Sequence, residues 1–306
     1  MGRYVLSRML QSLVSILAVA VLVFALGRLA GDPVELLLEL GASAQTRKDL
    51  IASLGLDRSY LDQFLIYFGG LLRGDLGRSV TNGSDVSDLI FGAFGNTAIL
   101  GLAAMAVSVA IALPIGVFSA AHRNSLFDRG FRMFAILGQS APPFWVGIML
   151  VIIFGVWLGW LPTGGMGGPA HVVLPAVTLG WYLAAGVMRL TRTSMLEVLR
   201  SDYIRLARAK GVPEAAVLWK HGFKNAALPV LTFTALLFVS LLSGAVVTET
   251  VFAWPGLGRL LVQAVAMRDY PVVQGVVLLL SVMYLSINLL VDIVYGYLNP
   301  RIRFGS

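Results

Sequence analysis

Residues that could do chemistry are few in this chain, and none of them gathers into an engine. There is no cysteine, so thiolate ligation, thiol nucleophiles and disulfides are unavailable. His122, His171 and His221 are too scattered for a metal motif, and each reads as a loop or interfacial residue. No lysine among 48, 210, 220 and 224 follows a glycine, which excludes a Gly-x-x-x-x-Gly-Lys-Ser/Thr phosphate loop. Neither a Gly-x-Ser-x-Gly elbow nor a His-Glu-x-x-His helix occurs. The expectation is therefore no catalytic residue, no metal, no cofactor and no enzyme activity.

What remains is a set of polar side chains inside long apolar runs: Gln139, Ser140, Thr178, Ser240, Ser243, Glu249, Gln274, Asn288 and Asp292. Such groups are unfavourable in hydrocarbon, which makes them candidates to line a solute pathway. For the serines and the threonine the competing use is a hydrogen bond to the carbonyl four residues back. A charge at Asp292 would cost about 2.5 to 3.5 kcal/mol at mid-membrane. It lies near the inner end of its run, where pairing with a basic residue is favoured over solute contact. Glu249 precedes Trp254-Pro-Gly at an outer end, near an entrance or simply at the interface.

The elements that must hold these residues are membrane helices. The chain is 58% hydrophobic and 13% charged over 306 residues, more apolar surface than a soluble domain of this length buries, so the bilayer is its expected solvent. The net charge of +7 could suggest nucleic acid, but in a membrane protein the placement of charge matters more, and no nucleic-acid partner is expected. Six apolar runs reach the roughly 20 residues a crossing requires, near 9–29, 97–120, 133–158, 172–190, 226–247 and 272–298. The first follows Arg3 and Arg8 but is too long for a signal peptide and lacks a small-x-small cleavage pattern, so it reads as an uncleaved anchor. Pro142-Pro143 is expected to kink the third run rather than break it. Basic residues concentrate at Arg3 and Arg8, at Arg123, Arg129 and Arg132, between 189 and 224, and at Arg301 and Arg303. That bias places both termini and the long loop before the fifth run in the cytoplasm. On the opposite side, 31–95 mixes short amphipathic pieces with turn signals such as Asn82-Gly83 and reads as a small helical cap. The expected division is 1–93, the first helix with its external segment, and 94–306, the remaining five helices with a cytoplasmic loop at about 193–225.

That loop is the most informative stretch. Ser194 with Glu197 has capping-box spacing. Asp202 can cap a short helix over 203–210 that stops at Gly211, and Pro213-Glu214 can begin a third. On the short helix Ile204, Ala207 and the stem of Arg208 share one side, while Arg205 and Lys210 reach elsewhere, an arrangement suited to docking in a groove. An ordinary basic inner loop needs no such capped architecture.

The run Ala207-Arg-Ala-Lys-Gly211, followed by His221, Asn225 and Leu228-Pro229, resembles the coupling loop of type I ATP-binding-cassette import permeases. The longer Gly to Leu-Pro spacing matches the dipeptide and oligopeptide branch, although Leu206-Ala207-Arg208 stands where the general pattern has Glu-Ala-Ala. Further matching stretches are Arg28-Leu-Ala-Gly-Asp-Pro33, Gly74-Asp-Leu-Gly77, Pro143-Phe-Trp145, Gly159-Trp-Leu-Pro162, Trp254-Pro-Gly-Leu-Gly258, Arg268-Asp-Tyr-Pro271 and Asn299-Pro-Arg301. Within the branch the chain looks like the first of two permease subunits. The resemblance implies an all-α integral membrane fold of six transmembrane helices in a bacterial cell membrane. It implies as partners a second similar permease, two ATP-binding subunits and an external substrate-binding protein, with peptides as solute or, in related permeases, nickel or glutathione. It also implies that Asp202, Tyr203, Arg205, Ala207, Arg208, Ala209, Lys210 and Gly211 meet the ATPase. An ion-coupled transporter would want several buried carboxylates, and an intramembrane enzyme would want paired groups at one depth.

Overall fold

The computed structural model describes residues 2–29, 34, 38, 43–53 and 55–298, with side chains throughout except at 2–5, 28, 29, 53, 239, 240, 242–244 and 290–298. The described residues form helices α1 (Gly2–Leu29), α2 (Ala44–Ser53), α3 (Tyr60–Leu72), α4 (Val86–Ala121), α5 (Leu126–Ser140) and α6 (Pro143–Leu150). After α6 comes a wide π turn, Val151–Trp157, then α7 (Pro169–Leu199), α8 (Asp202–Ala209) and α9 (Glu214–Ala216). A second π segment, Val217–Phe223, leads into α10 (Lys224–Val251), followed by α11 (Leu257–Ala266) and α12 (Tyr270–Leu298). Four of these are long and apolar enough to cross a membrane, or five if the bent pair α5–α6 counts as one. The fifth expected run falls within the 28-residue α10. Pro114, Pro175 and Pro229 sit inside helices, a placement that membrane helices tolerate because neighbours re-satisfy the freed carbonyls. Leu10, Leu13 and Val14 on α1 and Trp157 after α6 are exposed, which suits lipid and would be costly in water.

The third run departs from expectation. Pro142-Pro143 does not kink one helix; α5 ends at Ser140, α6 starts at Pro143, and the two axes differ by 103°. Pro142 occupies the cap position and Pro143 the first turn, where a missing N–H leaves no bond unmade. Packing selects the break: a methyl group at Gly138 would lie 2.9 Å from Trp181 Nε1, and one at Gly147 would lie 3.1 Å from the Phe252 ring.

The chain divides into two compact units, each with its own core. One comprises residues up to Thr97 together with Pro255–Gly296. Its core joins Val86, Ile90 and Ala93 of α4 to Leu257 and Ala264 of α11 and to Val272 and Val276 of α12. Phe24 of α1 packs edge-on to Phe64 and stacked on Tyr67 of α3. Gly256 has no side chain with which to cap α11, and Thr97 Oγ1 instead accepts the Leu257 N–H at 2.8 Å. Asp269, 4% exposed, accepts hydrogen bonds from the Ser79 hydroxyl and from the amides of Val80 at 3.2 Å and Thr81 at 3.3 Å. It thereby pins the turn at 79–84 to the start of α12. Asp269→Asn should cost about 1.5–3 kcal/mol locally, read as faster proteolytic nicking at 79–84 with α12 intact.

The other unit is Ala98–Trp254, and α7 is its hub, with α5, α6 and α10 all packed on it. Gly180, Ala184, Ala185 and Gly186 let neighbours approach closely. A methyl group at Gly180 would sit 2.7 Å from the Ala104 carbonyl oxygen. Trp254 is fully buried among Leu100, Ala104, Leu179 and Leu183.

Candidate functional site: a short helix held between α7 and α10

α8 is built by local signals of the kind expected, shifted by one residue at its start. Ser201, not Asp202, takes the cap position, and its hydroxyl donates back to the Val198 carbonyl at 2.6 Å. Asp202 becomes the first helical residue and pairs with Arg205 at 3.3 Å. At the other end Gly211 has φ +75°, and two terminal bonds close the helix, from Gly211 N–H to Arg208 O at 2.9 Å and from Val212 N–H to Ala207 O at 3.2 Å. This is the glycine-terminated ending in which a left-handed residue lets the chain turn while the last carbonyls stay satisfied.

The expected capping box at Ser194 and Glu197 is not formed. α7 runs on without interruption to Leu199, and Ser194 is a buried mid-helix residue. Burial of Thr191, Ser194 and Met195 against neighbouring helices keeps that stretch helical, so tertiary packing overrides a local start signal.

The short helix stands on a stiff base. Ile204 is fully buried, and α8 lies against the π segment 217–223. Beneath it Val117 and Ala120 of α4, Met195 of α7, Leu218 and Ala226 form one apolar cluster. Phe118, Trp219 and Phe223 stack edge to face beside it. The turn after α8 is clamped by Arg208, which donates to both Glu214 oxygens at 3.1 and 2.6 Å. The Arg208 guanidinium holds the Glu214 carboxyl below its usual range, and Glu214 raises Arg208 in turn. Both are partly exposed, so the clamp adds less than about 1 kcal/mol and acts mainly on geometry.

One element of this base went unrecognised in the sequence. Asp128 in the first turn of α5 is fully buried, with Arg192 of α7 bonded to both its oxygens at 2.7 and 2.9 Å. The Ser119 hydroxyl of α4 and the Asn124 amide donate to the same carboxylate, and Arg132 lies 3.4 Å away. One carboxylate thus ties α4, α5 and α7 together. The available signal was Asn124-Ser-Leu-Phe-Asp128: Asn124 is left-handed at φ +63°, and Ser125 caps the Asp128 amide.

Away from the base, α8 is open. Leu206 is 55% and Tyr203 45% exposed, and Asp202, Arg205, Arg208, Ala209, Lys210 and Gly211 are exposed around them, with Ala207 half-buried.

The in-span polar residues separate into kinds. Thr178, Ser140 and Asn288 bond the carbonyls of Leu174, Ile136 and Tyr284, each four residues back. Gln139 is exposed and Gln274 half-buried. Glu249 is fully buried within the chain. The side chains of Ser240, Ser243 and Asp292 lie outside the described residues. Ser108 and Thr248, passed over in the sequence, have buried hydroxyls that make no hydrogen bond.

Long apolar helices with lipid-type exteriors, several of them crossing length, define a multi-pass membrane protein. Residues 112–304 match the family described as binding-protein-dependent transport system inner membrane component. The glutathione transport system permease protein GsiC of Salmonella choleraesuis is 45% identical over 305 residues, covering 99% of this chain and 100% of that protein. Its counterpart from Escherichia coli strain K12 is 43% identical over the same span and coverage. A solved amino acid ATP-binding-cassette transporter with histidines is 17% identical, with a TM-score of 0.49 over 68% of this chain and 92% of that one. The chain belongs to the binding-protein-dependent inner membrane component family. It is a permease subunit of a type I ATP-binding-cassette importer in the cell membrane.

Proposed function

We propose that this chain forms half of the translocation pathway of a peptide importer, and that α8 is the handle gripped by one of two separate ATP-binding subunits. Six helices cross the bilayer in this reading, with both termini and α8 in the cytoplasm, as the distribution of basic residues favours. In the order of the chain, the first helix with its external segment, 1–93, precedes the five-helix part from 94 onward. A second, similar permease supplies the other half, this chain being the first of the two, and an external binding protein delivers the solute. Glutathione, named for the relatives, is itself a tripeptide, so the relatives and the peptide class agree. Gln139, Ser140, Thr178, Ser240, Ser243, Glu249, Gln274, Asn288 and Asp292 stay the candidates for contact with solute. The back-bonds at Thr178, Ser140 and Asn288 make Gln139 and Gln274 the stronger members.

The observation that carries the coupling role is the contrast on α8 between Ile204, buried into its own base, and Leu206 with Tyr203, exposed among basic side chains. A single exposed leucine means little. Two apolar side chains on an eight-residue polar helix, backed by a rigid base, form a small anchor of the sort that fills a pocket on a partner. ATP-driven closure of the motor subunits would then move α8 as one body and tilt the helices attached to it. Leu206→Asp is expected to weaken ATPase association by at least about tenfold, the loss of roughly one anchor residue. The measurement is the amount of ATPase retained on the tagged chain in detergent. Undiminished retention would take α8 out of the contact.

A further inference from the structure

The unit that holds α1 to α3 contains a cavity of about 420 Å³, which shares only Gln274 with the pathway candidates. The end of α2, α3, the 75–77 stretch and the start of α12 bound it, and Arg58, Gln63, Tyr67, Asp75 and Gln274 supply its polar lining. Gln63 is only 7% exposed. Its amide nitrogen is committed to the carbonyls of Arg58 at 2.8 Å and Leu56 at 3.4 Å, which assigns the oxygen to the remaining position. That oxygen and the Tyr67 hydroxyl are both shielded from solvent, and neither has a hydrogen-bond partner. Native interiors rarely leave such atoms unmatched. Burial pushes Tyr67 up to about 12, so its hydroxyl keeps its proton at any physiological pH.

The unmet needs define a ligand. The Gln63 oxygen can only accept, so it asks for an N–H. The Tyr67 hydroxyl can donate to a carbonyl or carboxylate oxygen. Arg58 and Asp75 place one charge of each sign on the wall. A lone water, whose share of liquid volume is about 30 Å³, would use neither charge and little of the space. The volume falls within the roughly 300–1,000 Å³ typical of small-molecule sites.

We propose that this cavity binds a small zwitterion bearing an N–H donor, of dipeptide size. Ammonium and anion are also the chemistry of a phosphoethanolamine headgroup, so a peptide and a lipid are both possible sources. The choice of a dipeptide rests on the peptide-import reading; the cavity and its unpaired atoms do not.

The test exploits the lack of cysteine in the chain. Ala52, exposed at the cavity rim, is changed by Ala52→Cys in the full importer, reconstituted in phosphatidylcholine nanodiscs. Modification of that thiol by a small methanethiosulfonate is followed on this chain by mass. Dialanine at millimolar concentration should slow the reaction. Adding Tyr67→Phe, or Gln63→Leu, should raise the dialanine needed by about tenfold, the effect of one buried hydrogen bond. N-acetyl-dialanine amide, without either charge, should protect at least as poorly. Tyr67→Phe removes one oxygen only and keeps the test available if Gln63→Leu does not accumulate. Absence of protection by dialanine, or protection unchanged in both variants, overturns the site. Protection by phosphoethanolamine alone overturns the dipeptide and assigns a lipid headgroup. Uptake of labelled peptide by the unmodified importer is measured alongside. Uptake without protection sinks this site and leaves import standing, whereas failure of uptake removes the import reading whatever the thiol reports.

Discussion

Asp128→Ala is expected to cost the chain about 3–5 kcal/mol, the largest stability loss of any single exchange in the base of α8. Removing the carboxylate strands several groups together. Arg192, with only 18% of its side chain exposed, loses both bonds of a two-pronged pair, and the Ser119 hydroxyl and Asn124 amide lose their acceptor. Most of the penalty is the uncompensated charge on Arg192 rather than the worth of the pair itself. Two companions separate these terms. Arg192→Lys keeps the charge but not the planar fork, and should cost less than Asp128→Ala. Asp128→Ala with Arg192→Leu removes both charges and should recover a substantial part of the loss. The measurement is thermal survival of the monodisperse chain in detergent. A shift in Asp128→Ala no larger than that of an exposed substitution would mean that this pair does not hold α4, α5 and α7 together. Arg192 lies about two helical turns, roughly 10 Å, before the end of α7, so weakening it should also loosen the support beneath α8.

The contrast between α8 and this anchor shows where sequence reasoning reaches and where it stops. The short helix, its stop at Gly211 and the restart at Pro213-Glu214 were legible because each is decided by a residue's own backbone preferences. The cap slipped from Asp202 to Ser201 because both residue types can begin a helix, and nothing local separates adjacent candidates. Ser194 and Glu197 carried a valid local signal that burial of Met195 and its neighbours overrode. Pro142-Pro143 permits either a kink or a break, and the decision was made by Trp181 against Gly138 and Phe252 against Gly147, contacts between elements distant in sequence. Asp128 and Arg192 are 64 residues apart, so their pairing has no periodicity to reveal it. Charge counting placed Arg192 among the basic residues of the inner side without showing what it meets. The polar residues inside the spans were found by type, but type alone could not tell Thr178, satisfied by its own helix, from Gln139, which is exposed.

Gly211→Val is expected to lower solute uptake by at least about tenfold while the chain still inserts and the ATPase subunits still turn over nucleotide. The reason lies in the backbone, because nothing stands within 4 Å of where a Cβ would go. With φ at +75°, Gly211 occupies a region that costs an ordinary L-residue about 1–2 kcal/mol and a β-branched one more. That energy is comparable to what holds the end of a short helix. Valine can relieve the strain by leaving the left-handed region, at the expense of the bonds to Arg208 O and Ala207 O and of the alignment between Arg208 and Glu214. The handle then keeps its exposed face but loses its rigid connection to α9 and the π segment, so motion at α8 is absorbed in the turn instead of reaching α10. This account predicts an order set by conformational preference rather than by size. Gly211→Asn should stay near the unsubstituted chain, since asparagine tolerates the left-handed region, with Gly211→Ala intermediate and Gly211→Val poorest. Uptake and ATPase rate, measured on the same reconstituted complexes, give the coupling ratio directly. An order that follows side-chain volume would place the defect in a steric clash at the contact with the motor, and normal uptake in Gly211→Val would remove this turn from the transmission altogether.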